Sequence, residues 1–362
     1  MAVSFNRHKL LSFVEKIAMN PSFSGPASDS KPAFHPDSLS RRRLVASGAA
    51  AVLVMTVGAR AASYPEKAVK IIVPFAPGAG TDAMGRLLAQ KLGEQLNVSV
   101  VVENKTGASG AIGAQFVAQS PADGYTLLLV AAPYTTVPAV LPTAGYDPLS
   151  SFTNISMVAQ GPLMWACYND LPVNTLAELI AYTKTRPGQL NYGSAGAGGV
   201  NHLVLEQLKS QHGVSIVHIP YRGIAPATLD MMSGQIQVLT GTIPALAPLI
   251  RDRRIKPLAV TTAGRHPLFP MVPGLAEQGL ADLVALNYFG LVAPKGTPNE
   301  VVARLNQALA HIVTLPDVQA RLKNDALEVA PLGVAPMDKF IRSDLEGWKK
   351  VVRQQGIKVD QL

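Results

Sequence analysis

Cysteine is nearly absent: 362 residues hold one, Cys167. No intramolecular disulfide can form, and the apolar setting Met164-Trp165-Ala166-Cys167 marks the thiol as buried and inert. The apolar run over residues 46–58 falls short of the roughly 20 residues a membrane span needs. Metal-ligand spacing is missing too: beyond residue 61 the histidines are His202, His212, His218, His266 and His311, scattered along the chain. The positive charge is thinner than the net +8 suggests. Residues 1–61 carry eight of the 32 Lys and Arg but three of the 24 Asp and Glu, so five of the eight net charges lie there. What remains gives no ground for nucleic-acid binding.

That prefix has its own logic. Arg41-Arg42-Arg43-Leu44-Val45 precedes the apolar run, and Ala59-Arg60-Ala61 closes it. A charged segment, an apolar segment and a small-residue site make an export signal, cleaved near Ala61. The arginines suit the twin-arginine route, with the general secretory route as the alternative. Export without a disulfide framework points to a bacterial periplasm. About 300 residues follow, enough for two domains.

Short apolar strands alternate with helical segments over most of that length. Strands are predicted at 69–73, 98–102, 125–131, 190–192, 216–219, 236–240 and 257–261, with helices at 81–96, 111–119 and 200–211 between them. Thr175-Leu-Ala-Glu178 is a capping box that opens another helix. Such alternation predicts an α/β fold with parallel sheets. From 298 to 353 the pattern turns to helix after helix. Two longer apolar stretches, near 155–167 and 283–293, read as crossings between two lobes. The expected division is lobe 1 at 62–162 plus 288–362 and lobe 2 at 163–287, behind the export signal and its preceding extension at 1–61.

Three glycine-rich turns follow strands: Pro74 to Asp82, Glu103 to Gly110, and Tyr192 to Gly199. Each feeds a helix whose first N–H groups and positive dipole end point back at the turn. Gly78-x-Gly80-x-x-Ala83, with Glu103 about 20 residues on, also satisfies a relaxed dinucleotide fingerprint. Two features oppose that reading: Pro74-Phe75-Ala76-Pro77 lengthens the turn, and Asp82 puts a negative charge where a pyrophosphate would sit. Tyr192-Gly193-Ser194-Ala195-Gly196 misses the nucleophile-elbow pattern at Tyr192. Tight turning alone is the plainer account of any one such loop. Two of them, one in each expected lobe, suggest instead a small anion clamped between lobes by backbone amides. No cofactor, metal or catalytic residue is expected.

With these residues assembled, the chain resembles the Bug or TctC-like periplasmic receptors of tripartite tricarboxylate transporters. The likeness runs through Val73-Pro74-Phe75-Ala76-Pro77-Gly78, Val102-Glu103-Asn104-Lys105, Asp123-Gly124-Tyr125-Thr126-Leu127, His218-Ile219-Pro220-Tyr221-Arg222-Gly223 and Val292-Ala293-Pro294-Lys295-Gly296. It implies a two-lobed periplasmic-binding-protein-like fold of type II character, which closes on a small organic acid and delivers it to membrane permease subunits. A monomer without enzymatic activity is expected, with an exported NAD- or flavin-dependent α/β enzyme and a ligand-sensing subunit without transport as the alternatives. The resemblance places Phe75, Gly78, Ala79, Gly80, Thr81 and Asp82 on one side of the ligand, with Asp82 fixing its loop. Ser194, Ala195 and Gly196 lie on the other side, and Tyr134, Thr135, Asn201 and His202 are pocket-wall candidates. Two departures matter: Ala79 stands where relatives usually have a second glycine, and Gly241 where they often carry an Asp able to meet an ammonium. With Thr242 beside Gly241, the expectation is a simple organic acid rather than a cationic amino acid.

Overall fold

The first strand, β1 (Val69–Val73), buries four of its five residues, as a strand covered on both faces must. The computed structural model describes residues 64–78, 80–283 and 285–358. The expected export signal and Ala79 therefore lie outside the described residues. Helix α1 (Gly80–Leu96) follows β1 and lays Met84, Leu88, Leu92 and Leu96 inward. The chain continues through β2 (Val100–Asn104), α2 (Ala111–Ala118), β3 (Thr126–Val130) and α3 (Pro133–Val140). Next comes β4 (Phe152–Tyr168), a 17-residue strand.

Beyond it, α4 (Leu176–Lys184), β5 (Asn191–Ser194), α5 (Val200–His212), β6 (Val217–Pro220), α6 (Ile224–Met232), β7 (Val238–Thr242), α7 (Ile243–Arg251) and β8 (Ile255–Val260) build the second half. Strand β9 (Leu286–Pro294) returns the chain to the first half. There α8 (Asn299–Ile312), α9 (Pro316–Asn324) and α10 (Val334–Gln355) pack, with the short β10 (Glu328–Val329) between the last two. The tail is thus helical except for that strand, which pairs antiparallel with β4.

Parallel sheets alone do not describe the result. β1 pairs parallel with β2 and β3, and β5 with β6 and β7. The two long apolar stretches instead run antiparallel to each other and to their neighbours, so the sheets are mixed. β4 is the reason. Its first part, to Pro162, pairs with β9, and from Leu163 it pairs with β7 and β8. At that changeover Thr261 is buried, its Oγ 2.7 Å from Leu163 N and 2.6 Å from Ala285 O.

The core divides accordingly. Leu88, Leu92, Leu305 and Leu309 pack on the first sheet; Met164, Met231, Leu239 and Leu246 form a separate cluster on the second. A third cluster runs through both sheets, from Ile72 and Leu128 to Trp165 and Leu205. Cys167 lies fully buried in β4, and burial pushes its thiol up to about 11. The capping box forms with one shift: Thr175 accepts from Glu178 N–H, but the Glu178 carboxylate takes the N–H of Asn174. Among the described residues no helix is long and apolar enough to cross a membrane, and no group of side chains could hold a metal ion.

Candidate functional site

Every glycine-rich turn sits at the carboxyl end of a parallel strand, where open α/β sheets leave room for a ligand. The first, after β1, is fastened by charge. Asp82, 3% exposed, accepts from Gly78 N–H at 2.9 Å, Arg86 Nε at 2.9 Å and Asn104 Nδ2 at 2.8 Å. Asn104 also donates to Phe75 O. Burial alone would raise the Asp82 carboxyl, but the bonds from Arg86, Gly78 and Asn104 outweigh it and hold the group below its usual value. Asp82 thus binds its own loop. Gly78 turns at φ +82, which glycine adopts freely, and Ala76 to Gly78 and Gly80 stand exposed. Glu103, the acid a ribose would need, is engaged in ion pairs with Lys70 and Lys105.

The second turn, after β5, is fastened without charge. Ser194 is fully buried, and its Oγ lies 2.7 Å from His218 Nε2 and accepts from Gly196 N–H at 3.2 Å. Gly198 N–H donates to His202 Nδ1 at 3.2 Å. The rings of His202, His218 and Tyr192 stack, with centroids 4.3 Å apart for the histidine pair and 4.6 Å for Tyr192 and His218. Burial keeps His202 below its usual value, against the pull of Glu206; burial and the neighbouring His202 hold His218 down at about 4. Ala195, Gly196 and Ala197 are part-exposed. Among the described residues the N–H groups of Ala195 and Ala197 have no acceptor within the protein.

The third turn joins the other two. Ala108 and Ser109 adopt φ of +49 and +51, rare for residues with a side chain. That twist aims Ser109 Oγ at Ala197 O, 2.6 Å away. A Cβ placed on Gly196 would lie 2.5 Å from the same Oγ, and one on Gly110 would lie 3.3 Å from the Phe75 ring. The first and second halves also meet at Gly80, whose Cβ would lie 3.8 Å from Thr242 Oγ. Phe75, Ser109, Gly110 and Tyr134 line a cavity of about 10 Å³, the size of one water position. Among the described residues no hydrogen bond joins 78–82 directly to 194–196. Ser109 spans that interval; its turn is legible in the sequence as glycine-rich, but the contact is not.

The remaining candidates spread over three places. Tyr134 lies beside Phe75 at the small cavity, its hydroxyl on Pro148 O. Thr135 is buried within α3, with Oγ 2.6 Å from Asp344 Oδ2 and 2.9 Å from Tyr288 OH, so its hydroxyl is already engaged. Asn201 turns its amide onto Thr240 O and Oγ. His202 lies beneath the second turn, as described. Gly241, in β7, faces Leu246, where a Cβ would come within 3.1 Å. Thr242 heads α7 and faces Gly80.

The model of the tripartite tricarboxylate transporter family receptor matches residues 84–357. The protein BugT of Bordetella pertussis is 35% identical over 302 residues, which cover 82% of this chain and 92% of BugT. Among solved structures, Rpa4515 of R. palustris with adipate superposes at a TM-score of 0.77, is 34% identical, and covers 82% of this chain and 99% of its own. MatC (Rpa3494) from Rhodopseudomonas palustris with bound malate gives a TM-score of 0.76 at 28% identity, covering 80% and 100%.

Proposed function

The chain belongs to the tripartite tricarboxylate transporter receptor family, and from that premise we propose that it captures a small organic carboxylate between two lobes and delivers it to membrane permease subunits. Its fold is the two-lobed α/β fold of periplasmic binding proteins, and its structural relatives include proteins solved with adipate and malate. One observation carries the reading. Two helix-heading turns from different halves of the chain lie close enough for the loop between them to touch both, through Ser109–Ala197 and Gly110–Phe75. In this proposal lobe 1 comprises 62–162 plus 288–362 and lobe 2 comprises 163–287, with the changeover in β4 and Thr261 at the hinge.

Main-chain amides suit such a task, because they attract an acid group without a buried counter-ion. The free N–H groups of Ala195 and Ala197, and those of the first turn of α1, face the ligand. Each hydrogen bond to a charged group contributes about 1.5–3 kcal/mol, so a few support micromolar binding. Asp82 and Ser194 act indirectly by holding their turns. Gly241 brings no carboxylate to meet an ammonium, which favours an acid without an amino group. The protein works in the periplasm as a monomer, performs no chemistry, and closes around its ligand by hinge motion. Isothermal titration of purified protein tests this: adipate or malate, or another mono-, di- or tricarboxylate, binds in the micromolar range. Tight binding of lysine or arginine with no response to any carboxylate overturns it.

A further inference from the structure

The turn that bears Ala195 and Ala197 rests on two imidazoles, and the His202 contact depends directly on protonation. His202 Nδ1 accepts the Gly198 N–H, so that nitrogen is unprotonated and the ring proton sits on Nε2. A second proton on His202 would set two hydrogens face to face and break the bond. His218 touches Ser194 Oγ, which accepts the Gly196 N–H and lies 3.1 Å from Gly196 O, so it supports the same turn two residues earlier. The rings are stacked 4.3 Å apart, and two imidazolium cations at that distance repel.

The surroundings do not relieve that cost. Tyr192 from β5 packs flat on His218, and Glu206 and Lys209 from α5 are the charged groups facing the pair. Glu206 Oε1 lies 3.9 Å from His202 Nε2 and would favour a cation there. Lys209 at 2.7 Å and the Tyr192 hydroxyl at 2.6 Å already claim the same oxygen. Burial therefore prevails, and both rings are held in the neutral form.

We propose that His202 and His218 are positioning residues for the turn 194–198, competent only as neutral rings, so that acid frees the turn and weakens ligand capture. The inference rests on the reading of this turn as a ligand contact. The direction follows from linkage. With the folded rings titrating below the ordinary histidine value, neutral pH favours the ordered turn; protonation of His218 lowers its population by up to about tenfold per pH unit between about 6.5 and 4, and His202 acts in the same direction.

Two measurements test it. The first follows the histidine rings and the Gly196 and Gly198 amides by NMR in unliganded protein from about pH 7.5 to about pH 4. Both amides should move with the titration of the rings. The second is isothermal titration with adipate and malate as probes, on the wild type and on His218→Asn, which keeps a polar contact to Ser194 but does not titrate. The ligand carboxyls titrate identically for both proteins, so the difference between the two profiles belongs to the histidine. His218→Asn should flatten the acid weakening relative to its own affinity near pH 7.5, whereas His218→Phe, which stacks but cannot bond Ser194, should weaken binding at every pH. Amides that ignore the ring titration, or an equal acid slope in His218→Asn, overturn the proposal. Should neither probe bind at any pH, the receptor reading fails for those acids, and the NMR result alone decides this one.

Discussion

The two outer turns share an anatomy and differ in their fastening. Each follows a parallel strand, turns on glycines and heads a helix. The first is held by a buried carboxylate with a guanidinium, an amide and a backbone N–H around it; the second by a serine hydroxyl and two stacked, neutral imidazoles. Backbone shape at the two sites is therefore alike, while the conditions under which each shape survives are not. A charge network centred on Asp82 persists until the carboxylate is protonated. The imidazole support is lost at milder acidity.

Gly196→Ala is the sharpest way to break the second turn alone. Glycine here has φ +136, and the added methyl would sit 2.5 Å from Ser109 Oγ. Strain of that kind costs about 1–3 kcal/mol, so carboxylate affinity should fall about 100-fold with the fold intact, as titration calorimetry and circular dichroism would report. Pairing it with Ser109→Ala should recover the steric part and leave the backbone part.

Asp82→Ala attacks the first turn and should show in stability as well as affinity. It leaves Asn104 and Gly78 N–H without their shared acceptor. Urea unfolding should report a loss of about 1.5–3 kcal/mol, the range for a hydrogen bond to a charged group.

Acid should separate the turns in order. For Asp82 the folded value is lowered, so its contribution is full above the ordinary carboxylate range and disappears only as pH falls through the lowered value, below about 4. For His218 the contribution is full above about 6.5 and lost on the way down to about 4. The Gly196 amide, held through Ser194, should thus shift before the Gly78 amide as acid is added. Simultaneous shifts would erase the distinction. Global melting is the wrong readout, because Asp344, raised by burial to about 6, runs the other way: its folded form binds a proton that the unfolded form releases, so it favours folding as pH falls from about 6 to 4.

The smallest effect belongs to the link between turns. Ser109→Ala removes one hydrogen bond across the interval, about 1 kcal/mol, and should weaken binding about fivefold without moving the urea midpoint. An unchanged affinity would mean that the contact does not persist when ligand is held.

What sequence could reveal followed from locality. Period and glycine punctuation expose each strand–turn–helix unit, because the residues that decide it lie within a few positions. β4 and β9 were legible as long apolar stretches, but not as antiparallel neighbours, since that pairing depends on residues more than 100 positions apart. Helix α3 was hidden by Pro138 inside it. Ser194, which the family resemblance sets beside the ligand, has its buried side chain turned to His218, 24 residues on. A substitution as bulky as Ser194→Trp would therefore disrupt the ring stack rather than simply block a cleft. Ser109 and Ala197, 88 positions apart, meet only because two sheets bring their carboxyl ends together.

The central claim is that one acid group is gripped by main-chain amides from both outer turns at once. Amide chemical-shift mapping during titration with adipate and malate tests it most directly. The account predicts saturable shifts at Gly78, Gly80 and Thr81 together with Ala195, Gly196 and Ala197, following a single binding curve. Saturable binding whose shifts are confined to one turn, or lie away from both, would contradict it.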